Sequence, residues 1–292
     1  MTENQSSAAN TDVLPLNPAT QRQFKGRVLA IANQKGGVGK TTTTINLATA
    51  LAAVGKSVLV MDFDPQGNAS TGLGIDKTQR TQGTYEALFG TLPLQDVATP
   101  TRVPRLFVAP ASVHLAGAEI ELVNSERREF RLREAVNATN LKVDYILIDC
   151  PPSLNLLTLN ALVAADAVLV PLQCEFYALE GLSHLVKTIE RVKRAFNPDL
   201  DLHGVVLTMY DRRNALSASV ENDVRSYFGD KVYQTVIPRN VRVSEAPSHG
   251  LPVLVYDLRC TGSQAYIQLA GEVIKREKTI LKNNQFTQKQ VA

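Results

Sequence analysis

With 292 residues, 44% of them hydrophobic and 20% charged, the chain can bury a sizeable core in one large unit or two small ones. A net charge of +3 excludes a bulk polycation, so any nucleic-acid contact has to come from a local basic patch. Cys150, Cys174 and Cys260 are dispersed and odd in number, which argues against a disulfide framework or a zinc site and favours a reducing cytosol.

Residues 1–25 are polar, with Pro15 and Pro18, and read as a disordered arm that lacks a signal-peptide apolar core. Residues 26–282 then alternate apolar strand-like runs with helical stretches, as expected of one folded domain. Val28–Ala32 is the first predicted strand, Thr41–Val54 a helix stopped by Gly55, and Ser57–Asp62 the second strand. Leu106–Ala109 follows between two prolines, then helical stretches over Leu115–Val123 and Arg127–Ala138. Tyr145–Asp149 is apolar at nearly every position, the pattern of a parallel strand covered on both faces. Ala167–Val170 and Val205–Thr208 repeat it, separated by helices at Leu179–Phe196 and Ser217–Phe228. Lys231–Val236 is a candidate last strand, Ser263–Leu281 a closing helix, and residues 283–292 a polar tail. No apolar run reaches the length of a membrane span. This alternation predicts a doubly wound α/β fold with a mainly parallel sheet, whose ligands bind at the carboxyl ends of the strands.

Between the first strand and its helix stands Lys35-Gly36-Gly37-Val38-Gly39-Lys40-Thr41. Glycines there let backbone N–H groups turn inward around phosphate oxygens, and the helix start adds a favourable dipole. The segment is therefore expected to bind ATP with Mg²⁺. Lys40 would reach the β- and γ-phosphates, the Thr41 hydroxyl would ligate Mg²⁺, and Thr42 is placed for the α-phosphate. The usual G-x-x-x-x-G-K-[ST] pattern is not quite met, because Gln34 replaces the first glycine and Lys35 is an additional lysine. Five positions before Lys40, Lys35 lies on the opposite side of the loop. There it is either a solvated lysine or one directed at a nucleotide held by a facing subunit.

Asp62 and Asp64 follow the second strand, and Asp149 ends a later one. Carboxylates at strand ends beside a phosphate loop suit Mg²⁺, which prefers oxygen ligands and keeps several waters. Asp149 is expected to hold the ion through water. Of the Asp62–Asp64 pair, one would orient Mg²⁺ waters and the other the attacking water, the alternative being turn chemistry at a strand end. Arg212, Arg213, Arg239 and Arg242 follow late strand ends, as surface ion-pair partners or as contacts to nucleic-acid phosphates.

Four stretches together resemble the ParA/Soj chromosome- and plasmid-partitioning ATPases, a deviant Walker A class that also contains MinD: Asn33–Thr43, Asp62–Asn68, Asp149–Ser153 and Ile237–Arg242. Glu175–Gly181 and Thr208–Asp211 are similar as well, and the likeness runs from about Val28 to about Lys275. The resemblance implies an ATP-sandwich homodimer in which Lys35 crosses to the partner's phosphates. It further implies that Asp64 positions the hydrolytic water, that Asp62 lies in the same switch, and that Pro238 and Asn240 line the adenine. The catalytic set is then Lys35, Lys40 and Asp64, and the nucleotide set adds Gly36, Gly37, Val38, Gly39, Thr41 and Thr42. Arg213 and Arg242 fall at positions used for DNA. The dimer would bind double-stranded DNA without sequence preference and release it when a ParB-type centromere-binding protein stimulates hydrolysis, giving a cytoplasmic, nucleoid-associated protein. Two features favour the small chromosomal or ParA Ib-like type: no room for an N-terminal helix-turn-helix domain, and a C-terminal end too polar for a MinD-like membrane helix. A MinD-like membrane-cycling ATPase or a metabolic ligase on the same loop are the alternative functions.

Overall fold

Val28–Ile31 carries no polar side chain because the strand it forms is buried on both faces; β1 (Arg27–Ile31) lies inside the sheet. The computed structural model describes residues 23–291, with side chains through residue 280. In chain order the further elements are α1 (Lys40–Ala53), β2 (Val58–Asp62), α2 (Asn68–Gly72), α3 (Thr84–Phe89), α4 (Leu94–Val97), β3 (Thr99–Pro100) and β4 (Leu106–Ala109). Then come α5 (Ala118–Val123), α6 (Arg131–Ala138), β5 (Tyr145–Asp149), α7 (Leu156–Ala164), β6 (Ala167–Gln173), α8 (Ala178–Ala195), β7 (Asp201–Thr208) and α9 (Ala215–Phe228). Two short helices, α10 (Val241–Glu245) and α11 (Val253–Tyr256), precede the long α12 (Thr261–Val291).

The strands form one sheet in the order β3-β4-β2-β5-β1-β6-β7, parallel except for the short β3–β4 pair. The expected doubly wound α/β fold is therefore present. Each face carries its own apolar core. On one, α1 and α12 pack together over Leu29, Ile31, Val60 and Leu147; on the other, α7 and α8 cover Val28, Ala30, Ile146 and Val168. The chain leaves β1 toward β2 on one side and leaves β6 toward β7 on the other. The loops after these adjacent strands thus diverge, opening the crevice where doubly wound sheets bind ligands.

Several elements depart from expectation. Lys231–Val236 is not a strand; only Val232 bridges to Val205. Side chains of α12 take the backbone groups that a ladder would use. Arg276 donates to the carbonyls of Lys231 and Val232, and the Glu272 carboxylate accepts from the N–H groups of Gln234 and Thr235. The helix expected from Arg127 starts at Arg131, since Arg127 itself sits at φ 52°, outside helical space. The first residues of the predicted Leu115–Val123 helix form a 3₁₀ turn instead. The closing helix runs on past Leu281, so its backbone takes in most of the segment read as a polar tail. Most of the N-terminal arm lies outside the described residues, but Phe24, assigned to it, is buried in the core.

Candidate nucleotide and cation site

The glycine loop joins β1 to α1. Gly37 and Gly39 hold φ at 75° and 88°, a region that favours glycine, and open space faces a Cβ built on Gly36 or Gly37. Gly39 stands at the N-cap of α1 and no side chain caps the helix, which leaves its first amides for an anion. From the end of β7, the Thr208 hydroxyl donates to the Val38 carbonyl (2.8 Å) and pins the loop to the sheet.

The two lysines of the loop diverge. Lys40 is buried, and its Nζ donates to the Lys35 carbonyl (3.0 Å). Burial lowers its pKa, against the opposing pull of Asp149 and Asp64. Lys35 points outward with a half-exposed side chain and pairs with Glu175, in the loop after β6. Gly36, Gly37, Lys40, Thr41 and Thr42 line one end of a cleft of about 460 Å³. Its other wall is Met209, Ile237, Pro238, Arg239 and Asn240, with Asp64 and Gln66 along the side. Met209, directly after β7, is left-handed (φ 49°), at a cost of about 1 kcal/mol. The Asn240 side chain is already engaged: its oxygen accepts from the N–H groups of Arg242 and Val243, and its nitrogen donates to Thr261.

Beneath the loop, Ile31, Asp149 and Asp62 end three neighbouring strands in register. Asp62 Oδ2 accepts from the Ser70 N–H (2.7 Å) and hydroxyl (2.6 Å), while Asp149 Oδ1 accepts from the Thr44 hydroxyl (3.0 Å). Asp62 Oδ1 and Asp149 Oδ2 are buried without a hydrogen-bond partner among the described residues, and the Thr41 hydroxyl lies close enough to the Asp149 carboxylate to oppose the rise in its pKa. Burial, and then the neighbouring carboxylate charge, push both acids above the ordinary range. Two orphaned carboxylate oxygens beside an anion cradle make a donor set that fits Mg²⁺ held with a nucleotide. Asp64 is buried one turn further on, its carboxylate accepting from the Gln66 N–H. The loop after β2 is clamped by Arg80, whose guanidinium donates to the Gly67 and Ile75 carbonyls and to the Thr71 hydroxyl.

The predicted phosphate, carboxylate and adenine residues thus converge on one end of the sheet. Arg213 and Arg242 lie outside the cleft. Arg213 is almost fully exposed and grips Asp211 through two nitrogens, and Arg242 pairs with Glu245 and Asp257. Sequence reasoning missed Thr44, Ser70 and Arg80, and named Thr208 only within the similar stretch Thr208–Asp211, without a role. Thr44 left a trace, three positions after Thr41 and so on the same helical face.

A parallel sheet with a glycine loop after its inner strand, orphaned carboxylates at the next strand ends and a cleft above them defines a P-loop nucleoside triphosphatase. A family model described as an AAA domain matches residues 26–202. The chain is 65% identical to the chromosome partitioning protein ParA of Caulobacter vibrioides over 86% of its own length and 95% of that protein's. It is 55% identical to the sporulation initiation inhibitor protein Soj of Bacillus subtilis, covering 85% of the chain and 98% of Soj. Among solved structures, cobyrinic acid a,c-diamide synthase from Mycobacterium smegmatis, with a bound ATP analogue and magnesium, superposes with a TM-score of 0.76 at 37% identity, over 87% of this chain and 96% of that one. The chain belongs to the ParA/Soj family of chromosome-partitioning ATPases.

Proposed function

We propose that this ATPase is a nucleotide-gated DNA-binding switch: two copies close around ATP, bind duplex DNA without sequence preference, and release it when a ParB-type partner accelerates hydrolysis. The observation that carries this reading is the divergence of the two loop lysines, Lys40 turned into its own cleft and Lys35 presented at the surface.

In this reading the loop amides, Lys40 and Thr42 hold the phosphates, while Pro238 and Asn240 border the base. The Asn240 side chain is occupied as a cap, so it contributes position rather than a free amide. Thr41 directly, and Asp62 and Asp149 through water, would hold Mg²⁺, which supplies charge neutralisation to the β- and γ-phosphate oxygens. Asp64 orients the attacking water, and Lys35 from the facing copy adds positive charge where negative charge builds on the transferred phosphoryl group. Arg213 and Arg242 contact DNA phosphates after exchanging their acidic partners for them, which makes affinity steeply salt-dependent and blind to sequence. The protein would act in the cytoplasm on the nucleoid. Among the described residues no helix is long and apolar enough to cross a membrane.

The test is size-exclusion of Asp64→Ala with and without ATP, followed by duplex DNA binding on each peak. The expected result is a slow-hydrolysing dimer with ATP that alone binds DNA, and loss of that binding in Arg213→Glu with ATP affinity unchanged. A monomer in both conditions, or parental turnover of Asp64→Ala with DNA and a ParB-type protein, would overturn the proposal. Co-sedimentation with liposomes in ATP would instead favour membrane cycling.

A further inference from the structure

The segment Glu175-Phe176-Tyr177 has no part in the cleft, yet it lies beside the phosphate loop. The arrangement follows from topology. β1 and β6 are adjacent and their following loops diverge from one crevice, so the residue after β1's loop turn and the residue after β6 meet at its mouth. The loop after β1 is fastened to β6 itself: the Asn33 side chain donates to the Pro171 carbonyl (2.7 Å), and its oxygen accepts from the Lys35 N–H (3.1 Å). At the surface end of this junction the Lys35 ammonium pairs with the Glu175 carboxylate, both side chains part-exposed. Phe176 and Tyr177, 77% and 69% exposed, stand edge-to-face next to the pair.

We infer that Glu175 is a positioning residue for Lys35: in the solitary chain it holds the ammonium in cis, and dimer closure requires its release. The inference rests on the dimer reading above. A lysine that must cross to another chain's phosphates is a bare cation until it arrives, and the carboxylate beside it balances that charge in the solitary chain. The latch must also be weak enough to yield, and a part-exposed pair is: such pairs are worth a factor of about 1.4 to 5 in equilibrium. Polyphosphate carries more charge than one carboxylate, so the exchange runs toward the nucleotide once a facing site is occupied. Every dimer opens two latches. Removing Glu175 should therefore tighten dimerisation by the square of the single factor, about 2- to 25-fold.

The measurement is sedimentation equilibrium of Asp64→Ala and Asp64→Ala/Glu175→Gln at saturating ATP and Mg²⁺, with ATP affinity of the monomer measured alongside. The expected result is a dimer dissociation constant lowered about 2- to 25-fold by Glu175→Gln, with monomer ATP affinity unchanged. The difference should shrink as salt rises from about 0.05 M to about 0.5 M, because screening weakens the exposed pair. Glu175→Asp, which keeps the charge, should lie closer to the parent than Glu175→Gln. An unchanged or weaker dimer in Glu175→Gln would overturn the latch while leaving the dimer intact. Absence of a dimer in both proteins would overturn the dimer reading and the latch with it.

Discussion

Asp149 is a carboxylate placed where a carboxylate is costly. It is fully buried, one oxygen has no hydrogen-bond partner among the described residues, and Asp62 ends the adjacent strand beside it. Its pKa is raised, chiefly by burial. A folded-state value above the unfolded one means that the fold loses stability as pH rises from 3.8 through the raised value, and pays nothing below it. Asp149→Asn should therefore raise the melting temperature of the nucleotide-free chain, by about 2–4 °C per kcal/mol recovered. The gain should be near zero at acid pH and grow toward neutrality, and the variant should lose its Mg²⁺-dependent thermal shift. Calorimetry with and without Mg²⁺ checks both; equal gains at every pH would argue against a charge penalty. At this scale the glycines, Lys40, Thr41 and the three aspartates were legible because motif spacing encodes them. Ser70 and Arg80 were not, since what matters is how the folded chain brings them back onto Asp62 and Gly67 through space.

Among the elements, α12 has two tasks. Its apolar face packs on α1, where Tyr266 meets the Thr43 hydroxyl one turn into the phosphate-binding helix. Its polar groups tie the amino ends of the strands. Glu277 lies 2.7 Å from His203 Nε2 in β7 and 3.0 Å from Arg27 Nε in β1, and Arg276 stacks 4.0 Å over the Tyr233 ring. Burial would raise the Glu277 pKa, but His203 and Arg27 outweigh it and the net shift is downward. A depressed folded-state value gives stability that is present above 4.5 and lost as pH falls through the lower value. Glu277→Gln should cost about 1.5–3 kcal/mol near neutrality, by removing the carboxylate that His203 and Arg27 share, and the difference from the parent should fade below about pH 4. Urea titrations at the two pH values measure it. This helix also explains the misread strand: Val232, Tyr233, Thr235 and Val236 are residue types that favour strands, but Glu272 and Arg276 claim the backbone groups. Tyr145–Asp149 had no such competitor, and its all-apolar pattern has one explanation, burial on both faces.

Across the whole molecule, the strand order decides where the parts of the site meet. The phosphate loop leaves from β1, the acids from β2 and β5, the opposite wall of the cleft from beyond β7, and Glu175 from β6, so every component sits on one rim of the sheet. The opposite rim holds the Glu277 network. β1 is an interior strand, flanked by β5 and β6 and covered by helices on both faces, with residues 28–31 inaccessible to solvent. Its amide hydrogens can be replaced by deuterium only when the whole domain opens. Exchange at Leu29, Ala30 and Ile31 is then a gauge of global stability, and a ligand held by the adjoining loop slows it by the factor 1 + [L]/Kd, although it touches none of those amides. Amides at the start of β7, on the sheet edge, should exchange faster and respond less. Deuterium uptake along β1 would thus read nucleotide occupancy from inside the protein, with no label on the nucleotide and no turnover required.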